Sequence, residues 1–436
     1  MRVLLINQYY YPDIAATAQL CTDWAEDLAR AGVEVTVLTG TGRYRVPHHG
    51  EHAAALPQLP PEERHHGVRI VRVPVPDAPP PGSASPSRRE RAARLGQRGL
   101  GYARFGLGAL RELVRLPRPE LVVALSTPPL IATLGLVAQR LRGARLVYWV
   151  QDVYPELLTA MGLLAADARP VRLLAAMARR LYRAADRIIA LDPAMAARLI
   201  AAGAEPSRVV VIDHFADCRE LVPQPLAKNP LRARLGLGDA FVACYAGNHG
   251  RGHDFDTLIE ALRLQAAERA AGETDAGRPL HWLFVGDGEQ KARLLAAVPP
   301  ALRDRVHSLP PQARSELRDV LTAGDVGLVT LRAEMAGLMA PSKLYGLLAA
   351  GCPVVYVGPE AGRIPQLLAE EPVGVALRNG DAAGLLRALR ELAAQPERRQ
   401  AMAQRARELA ETRYDRTHIT RRHLALLSEL AREGGP

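Results

Sequence analysis

The stretch MAPSKLYGLLAAGCPVVYVG, Met339 to Gly358, places a helix and a buried strand one after the other. Ser342 stands where a helix cap belongs, Gly351 where a helix closes, and Pro353 prevents continuation. VVYV then reads as apolar on both faces, the mark of a strand covered on each side in a parallel sheet. Lys343 lies in the first turn of the helix, where the positive end of the dipole repels a cation. Two readings are open for it. Either it is a solvated lysine at an ordinary helix start, or its ammonium and free backbone N–H groups converge on an anion, most simply a phosphate.

The same alternation fills the chain. VLLIN, VEVTVLTG, VRIVRVPV, LVVALST, RLVYWVQD, RIIALD and RVVVID in the first half, and FVACYAG, HWLFVGDG, RVHSLPP, VGLVTL, PVVYVG and GVALR in the second, are separated by alanine- and leucine-rich helical segments. This is α/β patterning, and two such series in 436 residues predict two Rossmann-like domains. The expected division is 1–215, a linker over 216–238, 239–412, and a last helix, 413–436, that crosses back to the first domain. Residues 47–86, rich in proline, are expected to form an irregular loop. Its histidines His48, His49, His52, His65 and His66 have no carboxylate or cysteine pattern beside them that completes a metal site.

The formal charge is +10, and much of the excess is local. From Arg88 to Arg118 nine arginines stand against two glutamates, interleaved with Leu95, Leu100, Tyr102, Phe105, Leu107, Leu110 and Leu113. The segment 87–118 reads either as a surface helix with its leucines in the core or as a helix that lies on anionic lipid. No recognition module accompanies the charge, so nucleic acid is not expected as a partner. The four cysteines are widely spaced and suggest neither disulfides nor zinc, and the start MRVLLINQYY reads as a first strand rather than a signal peptide. A cytoplasmic location is expected.

Ligands of open parallel sheets lie beyond the carboxyl ends of the strands. In the first half those loops carry Ala15, Ala16, Thr17 and Gln19, then Gln151, Asp152 and Glu156. In the second half they carry Gly247, Asn248, Gly250 and Arg251, then Gly286, Asp287 and Gly288, then Leu309 and Pro310, and finally Glu334 with Pro341, Ser342, Lys343 and Leu344. Glycines allow close backbone approach, and lysine and arginine supply charge for phosphate oxygens. The dinucleotide fingerprint, the P-loop and the hydrolase elbow are all absent.

YYPDIAATAQL, STPPL, YWVQDVYPE, ADRIIALDPAMAARL, YAGNHGR, FVGDG, AGDVGLVTL and PSKLYGLLAAGCPVV, in this order, resemble the retaining glycosyltransferases of family four. The nearest branch resembles the fucosamine and N-acetylaminosugar transferases of surface-polysaccharide assembly. The resemblance implies a GT-B fold with two parallel sheets facing across a cleft. It also implies sugar transfer from a nucleotide-sugar donor, most often uridine-linked, without a cofactor or bound metal. The donor would sit on the second domain and the acceptor, a sugar or lipid-linked sugar, on the first, at an anionic membrane surface. Ser342 and Lys343 would then cradle the diphosphate, with Lys343, Arg251, Asp152 and Glu334 as the catalytic set. Two departures stand out. The family's ribose-binding glutamate falls on Gly346 and its paired glutamate on Leu338, while a usual arginine and lysine fall on Asn248 and His253. A nucleotide-sugar epimerase of the same architecture and a non-catalytic, membrane-bound partner subunit are the alternatives.

Overall fold

The computed structural model describes residues 1–13, 15–42, 59–76, 88–272 and 277–433. It divides into two compact units. The first comprises Met1–Asp213, Gly337–Ala340 and the end of the chain from Ile419; the second comprises His214–Ala336 and Pro341–His418.

Up to residue 213 the chain runs β1 (Arg2–Ile6), α1 (Ala16–Arg30), β2 (Glu34–Gly40), β3 (Glu62–His65), β4 (Val68–Val73), α2 (Arg88–Arg115), β5 (Leu121–Ala124), α3 (Thr133–Arg142), β6 (Arg145–Trp149), α4 (Glu156–Ala160), α5 (Arg169–Ala184), β7 (Arg187–Ala190), α6 (Pro193–Ala201) and β8 (Val209–Val211). The strands form one sheet in the order β3-β4-β2-β1-β5-β6-β7-β8. Every pair is parallel except the hairpin β3–β4 at the edge. That hairpin corrects the reading of 47–86 as irregular for its middle part; 43–58 and 77–87 lie outside the described residues. The strand EERH has no apolar residue to announce it and is held by cross-strand pairing, including Arg69 to Glu62 at 2.7 Å. A short, charged edge strand of this kind also discourages further pairing.

The second unit carries α7 (Pro230–Arg234), β9 (Phe241–Ala246), α8 (Asp256–Ala270), β10 (Leu280–Val285), α9 (Lys291–Ala296), β11 (Val306–Leu309), α10 (Leu317–Leu321), β12 (Val326–Thr330), α11 (Lys343–Ala349), β13 (Val354–Val357), α12 (Arg363–Glu370), β14 (Gly374–Leu377), α13 (Ala382–Ala394) and α14 (Pro396–Leu409). Its six strands are all parallel, ordered β11-β10-β9-β12-β13-β14. One core cluster joins Phe241, Tyr245, Trp282 and Phe284 to α8 and α13, and another joins Val242, Cys244 and Leu283 to Leu231 and Leu237. The second cluster corrects the linker reading of 216–238. Asn229 caps α7 and buried Arg232 donates to the Ala323 and Ala240 carbonyls, so this proline-rich segment is packed onto the second unit.

The last helix, α15 (Arg416–Glu433), joins the first unit from Ile419 onward, where the buried His423 ring lies 4.7 Å from Trp149 and 6.0 Å from Trp24. No helix among the described residues is long and apolar enough to cross a membrane.

Candidate active site

In the second unit the strand order reverses between β9 and β12, and the loops leaving these two strands touch: the Arg332 N–H donates to the Gly252 carbonyl at 2.9 Å. A reversal of this kind opens a crevice at the carboxyl ends. The loop after β9 is also stitched to the one after β10, with the His249 N–H on the Asp287 carbonyl at 2.8 Å and the Gln290 N–H on the His249 carbonyl at 2.9 Å. This approach needs glycine at Gly286, where φ is +126° and a Cβ would fall 2.1 Å from the Gly247 carbonyl oxygen. Gly247, also at φ +126°, leaves room for Lys343, whose Cε would lie 2.6 Å from an added Cβ. Buried Lys291 donates to the carbonyls of Gly286 and Leu309 at 2.6 and 2.8 Å and ties down the ends of β10 and β11.

Lys343 reaches over this floor. Its Nζ stands 3.1 Å from His253 Nε2 and 4.8 Å from the centre of the buried Tyr245 ring. His253 Nδ1 faces the Thr330 carbonyl at 2.7 Å. A carbonyl only accepts, so Nδ1 carries the ring proton and Nε2 accepts from the lysine. Burial, and then the Lys343 charge, hold His253 well below the usual imidazole range. Burial likewise pushes the Lys343 ammonium down to about 7. His249 is fully buried and pushed down to about 3 by burial and by Lys291 and Lys343; its Nε2 has no partner among the described residues. Two neutral imidazoles beside a lysine with no paired carboxylate among the described residues make a positive, poorly solvated pocket that gains from an anion.

The other expected donor-side residues fall unevenly. Asn248 and Gly250 share the loop with Arg251, whose guanidinium is paired with Glu289. Pro341 and Leu344 are buried, Pro310 is exposed, and Gly288 closes on His249. Glu334 is exposed and paired with Arg332 at 3.3 Å. Ser342 corrects the capping expectation: it is exposed and its side chain caps nothing, because its backbone is already helical. The helix does close at Gly351, with φ +61° and the Cys352 N–H on the Leu347 carbonyl. At Gly346 a Cβ would come within 3.2 Å of the Leu321 side chain, a tight contact that the leucine would have to yield to. The triplet Asp254-Phe255-Asp256 resembles a metal clamp only in sequence. Asp254 accepts from Thr257 and from Asn379 at 2.7 Å, and Asp256 is paired with Arg293.

In the first unit the strand order reverses between β1 and β5. There the buried Ser126 hydroxyl accepts from the Gln151 and Asp152 N–H groups at 3.1 and 3.0 Å. Asp152 bridges to Met339, and the Val153 N–H donates to the Leu338 carbonyl at 2.9 Å. Burial raises the Asp152 carboxyl to about 6. Asn7 Oδ1, Gln8 Oε1, Gln151 Nε2 and Glu156 Oε2 are buried polar atoms with no partner among the described residues. Ala15, Ala16, Thr17 and Gln19 open α1, where the Ala15 N–H is held by Asp13 at 2.8 Å. Sequence reasoning passed over Asn7, Gln8, Ser126 and Lys291. The polar pair Asn7-Gln8 directly after an apolar strand was the available signal.

Two family models match: Glycosyl transferase 4-like domain over residues 17–213 and Glycosyl transferases group 1 over residues 240–395. The chain is 29% identical to a probable glycosyltransferase, WbjE, of Pseudomonas aeruginosa over 69% of this chain and 72% of that protein. It is 25% identical to the putative colanic acid biosynthesis glycosyl transferase WcaI of Escherichia coli over 97% and 99% of the two chains. Anabaena HepE, solved with UDP and glucose, superposes with a TM-score of 0.69 at 20% identity, covering 98% of this chain and 100% of that one. At that identity the likeness establishes the two-domain GT-B fold.

Proposed function

Since the chain is a glycosyltransferase of the group 1 type, we propose that it transfers a sugar from a nucleotide-diphosphate sugar to a lipid-linked acceptor in cell-surface polysaccharide assembly, with retention at the anomeric carbon. A UDP-linked N-acetylaminosugar is the donor in this reading. The observation that carries it is Lys343, a half-buried ammonium without a paired carboxylate among the described residues, set among close-packed glycine loops at the β9/β12 reversal. Support for the donor and pathway comes from HepE, solved with UDP and with UDP-glucose, and from WcaI, described for colanic acid biosynthesis.

In this mechanism the sugar–phosphate bond breaks and the acceptor oxygen bonds to the same face of the anomeric carbon. Charge grows on the leaving diphosphate, and Lys343 stabilises it. The acceptor proton passes to a departing phosphate oxygen, so no separate base is required. Arg251 joins by exchanging Glu289 for phosphate. Asp152 orients the acceptor, and Glu334 takes a donor hydroxyl in place of the glutamate that Gly346 lacks.

The purified protein is to be offered a panel of nucleotide sugars in EDTA, with and without lipid-linked acceptors, while nucleoside diphosphate release is followed. Acceptor-dependent release from one donor is expected. Donor isomerisation without release would indicate the epimerase, and no reaction with any pair the non-catalytic subunit.

Peripheral membrane association rests on α2. Phe105, Ala109 and Leu113 are buried on one stripe, whereas Leu100, Leu107 and Val114 are exposed on another, Leu107 to 71%, beside exposed Arg104, Arg111 and Arg115. On α5 the exposed Leu173 and Met177 stand among Arg172, Arg179, Arg180 and Arg183 in the same way.

A further inference from the structure

We propose that Glu26, His65 and His66 form a binding site for a borderline divalent cation, with Zn²⁺ the best match. The site lies in the first unit, is built from α1 and the β3–β4 turn, and shares no residue with the donor-side loops.

One ligand atom from each of the three residues lies within 4.8 Å of the others. The carboxylate that the histidine-rich sequence lacks is thus supplied by α1. His65 Nε2 and Glu26 Oε1 are 3.5 Å apart. Tetrahedral zinc with bonds of about 2.0–2.1 Å has ligands roughly 3.4 Å apart, so the His65–Glu26 edge already has that spacing. Two imidazoles and one carboxylate suit Zn²⁺ rather than Mg²⁺, which prefers oxygen ligands in octahedral array.

The surroundings hold these groups in place. The His65 ring is stacked on Tyr11 at 3.7 Å and meets His66 edge-on at 4.2 Å. His66 sits at φ +44°, a left-handed conformation unusual outside glycine, which turns the chain so that adjacent histidines serve one point. Arg30 faces the other oxygen of Glu26 at 3.7 Å and is closer to Asp27, while Arg72 is paired with Glu63 and donates to the Tyr11 carbonyl at 2.9 Å.

A cation here would clamp the edge hairpin to α1 and, through the Tyr11 stack, brace the loop that leads to Ala15–Thr17. In the terms of the proposed function this is acceptor-side bracing, whereas the site itself stands without that reading.

The test is titration of the untagged full chain with ZnCl₂ and, separately, MgCl₂ at pH 7.5, read by calorimetry and thermal unfolding. Visible spectra with Co²⁺ report coordination. One Zn²⁺ per chain, a raised Tm and no response to Mg²⁺ are expected. His66→Ala removes an exposed ligand and Glu26→Gln keeps the side-chain shape; each should weaken Zn²⁺ at least about tenfold, as losses around metal sites do. The triple change His48→Ala, His49→Ala, His52→Ala should leave affinity intact. Unchanged affinity in both single variants, or loss confined to the triple variant, overturns the proposal, as does an equal response to Mg²⁺. Donor turnover is not read in any arm, so failure here leaves the transferase reading untouched.

Discussion

At the scale of the residue, Lys343 is an ammonium at the wrong end of a helix, held by a neutral imidazole and an aromatic face. Lys343→Ala should slow transfer on the order of 100-fold or more, the scale of losing one charge-stabilising group; steady-state kinetics with saturating acceptor measure this. Proton linkage gives a sharper expectation. The folded Lys343 titrates near 7, below its ordinary 10.5, so the unfolded chain binds more protons between these values and this group makes the free protein more stable as pH rises from 7 toward 10.5. A diphosphate favours the charged form. UDP binding between pH 7.5 and 9 should therefore take up a proton and weaken with rising pH, by up to about tenfold per unit. Calorimetry in two buffers of different ionisation enthalpy detects the uptake, which Lys343→Arg should abolish.

At the scale of the element, α2 carries two apolar stripes, only one of which the fold consumes. Each exposed arginine near an anionic leaflet adds about 1 kcal/mol of attraction, so a few suffice for reversible binding that salt weakens. Changing Arg104, Arg111 and Arg115 to Gln should release the protein from phosphatidylserine vesicles in a flotation assay and leave UDP affinity unchanged. Indifference of the wild-type protein to such vesicles at low salt would make α2 an ordinary solvated helix.

At the scale of the whole molecule, the chain leaves its first unit at residue 213 and comes back to it through α15. Leu430 is fully buried there, with Ile419 and Leu427. Leu430→Ala should cost about 2–5 kcal/mol, the range for truncating a packed leucine. In urea the change is read from tryptophan fluorescence in a Trp282→Phe background, where Trp24 and Trp149 report the first unit. UDP affinity should be unaffected, since the residues assigned to the diphosphate belong to the second.

The thirteen strand signals were legible in the sequence as apolar-rich runs, continuous where a strand is covered on both faces as in VVYV, and each one is present in the two sheets. The glycine loops and Lys343 were legible too, since glycine and an ill-placed cation mark positions where ordinary local preference is overridden. β3 was not, because EERH owes its conformation to the partner strand. The packing of 216–238 was hidden for a similar reason: its few apolar residues find their place only against β9 and β10. Only tertiary structure decided that His253 holds Lys343, that Arg251 is already paired, and that Glu26 meets His65 and His66. Local sequence sets periodicity and turns, whereas hydrogen bonds and ion pairs between distant residues depend on where the completed sheets bring their loops.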